Sequence, residues 1–348
     1  MDIYMDFPHF SSFMKSMSNE FFETCSDMIR DNCDLYFTFS KDDINKAKKD
    51  VKLNSALWAK KLSRNRNNHT VNYSADYPTF STVSSLQADK KFAALTSIYL
   101  VSGKDKEDFI INESIGNEIS LLRQFAIDGK NIPTKKYTTR HMKDWGVIRD
   151  NTLPCSDIII ADQFLFSQAD VFYEKNAYQL LRDLCSKVTK KRVNIVFFTM
   201  GKRKVSDPDH FYKDGKPKEK WVEIPIISIT RNIKKTLQDQ FEIDANITFV
   251  TFDKMEHDRT IFTNFKLFDS GDSFKYFKNN DGSASNGRWV HVNTLIDEGI
   301  YALSKEFIDD MQKIIDIHKF SLSDIRGDKI SNFLNFDKPV QLVCTDND

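Results

Sequence analysis

From about residue 155 onward the chain alternates continuous apolar runs with amphipathic stretches, and this rhythm restricts its fold more than any other feature. Residues 157–166 (Asp-Ile-Ile-Ile-Ala-Asp-Gln-Phe-Leu-Phe) read as a strand buried on both faces, because no polar residue alternates with the isoleucines. Residues 174–188 carry Leu180, Leu181, Leu184 and Val188 at helical spacing. A second apolar strand follows at 193–200, and then a Lys-rich polar excursion over 201–220. A helix is predicted at 226–241, a third strand at 247–252, and a last long helix at about 293–317. Strands alternating with helices of this length imply βαβ units and a mostly parallel sheet covered by helices, the α/β class.

The first part of the chain has a different pattern. Phe10, Phe13, Met14, Met17, Phe21 and Phe22 recur every three or four residues, so the first 35 or so residues read as helix. Residues 34–40 read as a strand, and Ser40 with Asp43 has the layout of a capping box that opens a helix through Ile44, Ala47 and Val51. The basic, Asn-rich stretch 60–75 reads as loop, and helical patterns return at 86–102 and 114–128. A polar break at 128–138, with Gly129 and Pro133, separates the two parts. With 348 residues the chain is long enough for two domains, expected at 1–135 (a mainly helical or α/β module of unread role) and 140–348. Its 29 Phe against 11 Gly and 8 Pro imply well-filled cores rather than long linkers.

Fifty basic and fifty acidic residues exclude a histone-like or polybasic-tail protein but not a local basic groove. Cys25, Cys33, Cys155, Cys185 and Cys344 are odd in number and never spaced as a Cys-x-x-Cys pair. They read as small buried thiols in a reducing compartment. The first residues lack a charged-then-apolar leader pattern, and no apolar run reaches the roughly 18 residues of a membrane span. A soluble cytoplasmic protein is expected. His9, His69, His210, His291 and His318 show no metal spacing, so neither metal nor other cofactor is expected.

One stretch carries chemistry. Within 257–274 the residues follow His257-x-Arg259-x4-Asn264-x6-Gly271-x-Ser273. On a strand, His257 and Arg259 share a face, placing a nucleophile or base beside a fixed cation able to hold phosphate. This spacing resembles the H-x-K-x4-D-x6-G-S motif of the phospholipase D superfamily, and the resemblance covers about residues 155–320. The run Gly271-Asp-Ser-Phe-Lys-Tyr-Phe also resembles the phospholipase D-like C-terminal domain of MIT-domain proteins, a binding module. The resemblance implies His257 as nucleophile, Arg259 as phosphate clamp, Asn264 in the place of the supporting acid, and Gly271 and Ser273 at the phosphate. Arg288 and His291, in a polar–apolar run that could lie beside the motif strand, are further candidate contacts.

The motif departs from the pattern chemically. Arg259 replaces Lys and keeps phosphate binding in bidentate form. Asn264 removes the negative charge that would support the histidine, and Asp272 puts a carboxylate where phosphate would approach. Gly282-Ser-Ala-Ser-Asn286 also has a phosphate-loop look, but out of register. Active relatives pair two motifs; His141-Met-Lys143 matches three letters and nothing further, so activity here would require a homodimer bringing two His257 together. Asp157 and Asp162, at the two ends of their strand, read either as metal carboxylates or as caps. Basic segments at 60–66, 135–143, 187–192, 201–205 and 213–220, interleaved with Trp58, Tyr137, Trp145 and Trp221, suit a nucleic-acid surface with stacking partners.

Two functions stay open. One is a nucleic-acid or phosphodiester binding component, alone or in a protein assembly. The other is a dimeric, metal-independent nuclease or phosphodiesterase with His257 as nucleophile. By analogy, such a chain suits a bacterial defence or mobile-element setting.

Overall fold

The computed structural model describes residues 1–40, 42–43, 69–74, 91–102, 114–127, 130, 132–139, 142–168, 172–188, 191–252, 259–277, 289–318, 325–328 and 331–336. The chain divides into two compact units, Met1–Thr134 with Thr294–Lys305, and Lys135–Asn293 with Glu306–Asp348. The class is α/β throughout.

The first unit holds strands β1 (Asp2–Met5), β2 (Asp34–Phe37), β3 (Val71–Tyr73) and β4 (Ile98–Leu100), in the spatial order β3-β2-β1-β4 with every pair parallel. Helices α1 (Phe7–Lys15), α2 (Phe22–Asn32), α3 (Lys91–Leu95) and α4 (Glu118–Arg123) accompany them. Asp6 caps α1, its carboxylate accepting the His9 amide at 2.9 Å. The Ser40–Asp43 capping box forms as read: the Ser40 amide donates to Asp43 Oδ2 at 2.9 Å and the Asp43 amide to Ser40 Oγ at 3.3 Å. The helix expected after it lies outside the described residues.

Three expectations for this part need correction. The leading helix is preceded by β1; residues 71–73 of the expected loop form β3; and residues 98–100 of an expected helix form β4. All three strands are three or four residues long, and β1 and β4 are buried on nearly every position, so none shows the alternation that identifies a strand.

The second unit is built on a sheet ordered β14-β10-β7-β6-β11-β12-β13-β5. Its strands are β5 (Thr134–Thr138), β6 (Asp157–Ala161), β7 (Arg192–Met200), β10 (Asp244–Phe252), β11 (Arg259–Thr263), β12 (Lys266–Ser270), β13 (Trp289–Thr294) and β14 (Ile325–Gly327). Strands β6, β7 and β10 run parallel and form the apolar centre predicted from the sequence. β11 lies antiparallel to β6 and to β12, and β14 antiparallel to β10, so the sheet is mixed around a parallel core. β14 approaches β10 so closely that a Cβ on Gly327 would lie 2.2 Å from the Ile247 carbonyl oxygen, which only glycine permits. The polar break contains β5, whose alternating exposure and paired lysines disguise an edge strand.

Helices α5 (Gly146–Asn151), α6 (Gln179–Cys185, preceded by a π-helical turn at Glu174–Tyr178), α7 (Ile226–Phe241) and α8 (Glu298–His318) complete the elements. Leu180, Leu181 and Leu184 of α6 and Ile229, Ile233 and Leu237 of α7 are buried, as their spacing required. Phe166, Phe197 and Phe249 pack their rings at centroid separations of 4.8–5.7 Å, each contact adding about 0.5–1.5 kcal/mol beyond area burial. The Lys-rich excursion after β7 is a two-stranded antiparallel hairpin, β8 (Lys202–Phe211) and β9 (Pro217–Glu223). It turns at Asp214-Gly215, where Gly215 takes a left-handed φ of 79°. Among the described residues no helix is long and apolar enough to cross a membrane.

Candidate functional site

The carboxyl ends of β6 and β7 and the start of β11 meet at one edge of the parallel core, where α/β sheets hold their ligands. The Asp162 amide bonds the Phe198 carbonyl at 3.0 Å, and the Met200 amide the Gln163 carbonyl at 3.2 Å, so the loop after β6 is tied to the end of β7. Asp162 then turns the chain. Its Oδ1 accepts the Phe164 amide at 2.9 Å, while Oδ2 accepts the Ser273 hydroxyl at 2.8 Å and the Phe274 amide at 2.6 Å. Burial pushes the Asp162 carboxyl up from its ordinary value, although these donors and the Arg259 charge pull it back. Asp162 is therefore a turn-capping carboxyl. Among the described residues no group of three or more His, Cys, Asp or Glu could hold a metal ion.

A second anchor fixes the chain after β12. Trp145, fully buried, packs against Phe274, Tyr276 and Phe277 at ring separations of 6.2, 5.2 and 5.4 Å. Asn176 receives the Phe277 amide at 3.0 Å and returns its side-chain amide to the Phe277 carbonyl at 2.9 Å. Lys275, between these buried aromatics, is thereby held pointing away from the core and half-exposed. Its ammonium donates to Ser167 Oγ at 3.0 Å and lies 5.2 Å from the centre of the Phe164 ring.

Arg259 opens β11 beside Asp162 and carries its guanidinium 5.5 Å from the same Phe164 ring. Its Nε is buried and has no hydrogen-bond partner among the described residues. Two cations from different elements thus converge on one aromatic ring. Phe164, Ser167 and Lys275 line a cleft of about 410 Å³, closed on its other side by Lys204, Glu219 and Trp221 of the hairpin. Lys204 pairs with Glu219 at 2.9 Å and lies 5.4 Å from the Trp221 ring, across the register pair Lys204↔Trp221. A guanidinium fork and an ammonium beside two ring faces can hold a phosphate and a flat apolar group together.

Not every residue expected here comes to this place. His257 and Arg288 lie outside the described residues, as does the Gly282–Asn286 segment. Asn264 sits at the far end of β11, five residues or about 16 Å from Arg259 at strand rise. Fully buried, its Oδ1 accepts the amides of Ser156 and Asp157 at 2.9 and 3.1 Å, which makes it the cap of β6. Ser273 is 1% exposed and gives its hydroxyl proton to Asp162, so it cannot donate that proton to phosphate. Gly271 is exposed in the turn before it, and the Asp272 carboxylate is drawn inward to the Ser273 amide at 3.0 Å. His291 lies half-buried on β13, separated from β11 by β12 rather than beside it. Asp157 is buried, accepting the Asn332 amide at 2.8 Å and the Asn194 side-chain amide at 3.1 Å.

Phe164, Lys275 and Lys204 were not singled out individually from the sequence. The signals were there: Lys275 lies inside the Gly271–Phe277 run, and Lys204 and Trp221 within the basic and aromatic segments.

No family model and no curated protein matches this sequence. Among solved structures the chain is similar to TrmBL2, an archaeal chromatin protein with a novel mode of DNA binding, at 11% identity and a TM-score of 0.26, over 56% of this chain and 54% of that one. It is similar to phosphatidylserine synthase of Haemophilus influenzae at 10% identity and a TM-score of 0.33, over 61% of this chain and 46% of the other. A third likeness is to polyphosphate kinase of Porphyromonas gingivalis, at 10% identity and a TM-score of 0.24, over 93% of this chain and 44% of the other. The matches span about half the length of each of these proteins.

Proposed function

We propose that the second unit is a phosphodiester-binding component that takes nucleic acid at the cleft lined by Phe164, Lys275 and Trp221, beside Arg259. The convergence of these two cations on Phe164, which lines the cleft, carries this reading. The resemblance of the His257–Ser273 spacing to the phospholipase D motif supports Arg259 as the phosphate clamp. The committed hydrogen bonds of Ser273 and Asn264 favour binding over turnover, because neither is disposed to assist a nucleophile at Arg259.

A second reading, a metal-independent nuclease acting as a homodimer, is favoured by one feature: the His-x-Arg register that sets His257 two residues before the clamp. Incubation with single- and double-stranded DNA and RNA in EDTA, beside His257→Ala, separates the two. Salt-sensitive binding without cleavage is expected. His257-dependent cleavage would replace the binding reading with the nuclease one.

A further inference from the structure

Resting on that reading, we infer that the cleft and the β8–β9 hairpin grip single-stranded nucleic acid, stacking unpaired bases on the hairpin while the phosphates face Lys275. Three observations lead there.

The first is the layout of the hairpin. Antiparallel register pairs Lys204 with Trp221 and Ser206 with Glu219 and, past a register shift between Asp207 and Phe211, Phe211 with Pro217. Paired residues share a face, and so do alternate residues of β9, which puts Trp221 and Phe211 on the same side of the arm. Both rings are open, Trp221 at 50% and Phe211 at 57% exposure. Two open rings on one side of a two-stranded arm offer faces on which flat groups such as bases can stack.

The second is spacing. From Trp221 to Pro217, the partner of Phe211, is four residues, or about 13 Å along the strand. Stacked nucleotides advance about 3.4 Å each along one strand, so roughly four of them span the two rings. The arm therefore offers two platforms to one short run of bases, not one isolated contact.

The third is charge. Within the cleft lining Lys204 is neutralised locally by Glu219, whereas Lys275 lies 5.2 Å from the Phe164 ring, with the Arg259 guanidinium outside the lining and 5.5 Å from the same ring. The cleft thus brings the Trp221 and Phe164 rings and the Lys275 ammonium into one lining, which suits a chain that offers bases and phosphates together. A duplex buries its base faces inside the helix and has none to offer to Trp221, so the same arrangement discriminates against it.

Fluorescence anisotropy with labelled oligothymidylate and a labelled duplex of equal length, at one salt concentration in EDTA, tests this. The single strand should bind about ten-fold more tightly than the duplex. Trp221→Ala should weaken single-strand binding about ten-fold while leaving duplex binding unchanged, and Trp221→Phe should restore most of the loss. An unchanged melting temperature for Trp221→Ala checks that the exposed substitution leaves the fold intact. Equal affinity for duplex, or no effect of Trp221→Ala while Arg259→Ala still weakens binding, would overturn the single-strand inference and leave phosphodiester binding standing. Failure to bind either oligonucleotide would remove both, and would leave the exposed rings to a protein partner.

Discussion

The Ser273 hydroxyl donates to the Asp162 carboxylate at 2.8 Å across 111 residues of sequence. This bond, rather than a ligand contact, is what the Gly271–Ser273 segment of the motif provides: it locks the chain after β12 to the turn after β6 and so fixes Lys275 opposite Phe164. Asp162→Ala leaves the Ser273 hydroxyl and the Phe164 and Phe274 amides without their acceptor and should cost about 2–4 kcal/mol. Ser273→Ala should cost about 1 kcal/mol, with oligonucleotide affinity changed less than about two-fold in protein that remains folded. Urea denaturation beside a binding titration checks both. A large affinity loss for Ser273→Ala at unchanged stability would return Ser273 to the phosphate.

Asn264 should behave as a stability residue. Asn264→Ala strips the acceptor from the buried Ser156 and Asp157 amides and should cost about 2–4 kcal/mol. Binding measured well below the unfolding transition should match wild type. If Asn264→Ala instead weakened binding without lowering the urea midpoint, its place at the far end of β11 would not describe its role.

Lys266 gives a pH test. It is 1% exposed, and burial, with the Lys187 charge second, lowers its ammonium from 10.5 to about 7. Between those two values the unfolded chain binds a proton that the folded chain does not, so stability contributed by this group rises with pH across that window. Below about 7 both states are protonated and the full penalty of a buried cation remains. Lys266→Met should therefore raise stability most at about pH 6, by about 3–5 kcal/mol at the upper limit, and least above about pH 10. Thermal melts at the two pH values decide it. A gain independent of pH would mean that packing, not charge, is responsible.

Much of the second unit was legible in advance because its strands and helices obey strong periodicity. The β6, β7 and β10 runs are continuous apolar stretches, and α7 keeps Ile226, Ile229, Ile233 and Leu237 on one face. β2 was legible within residues 34–40, whereas β1, β3 and β4 of the first unit escaped because three or four residues show neither alternation nor helical spacing. The hairpin escaped because its residues alternate among polar types, even though Asp214-Gly215 is a turn signal. The site was half legible. Arg259 stood out by its spacing to His257, but spacing along the chain could not tell that Ser273 and Asn264 turn inward to buried partners. Lys275 and Phe164 meet only through the fold, 111 residues apart.

The cysteines offer a compact check on the core. Burial pushes the Cys25 and Cys155 thiols up to about 12 and Cys185 well above its ordinary value. Thiolate is the reactive form, so these three should resist alkylation by iodoacetamide in native protein near pH 8 and react fully once unfolded. Site-resolved mass spectrometry reads this directly. Rapid native modification of Cys155 would show that the β6 region opens to solvent.

Salt dependence of binding tests the phosphate clamp most directly. For a single-stranded oligonucleotide, each phosphate contact removed should flatten the slope of log affinity against log salt by about 0.7. Arg259→Ala combined with Lys275→Ala should therefore weaken binding at low salt and reduce the slope by about 1.4, while the urea midpoint stays near that of wild type. A double variant that binds with the wild-type affinity and slope would contradict phosphodiester recognition at this cleft.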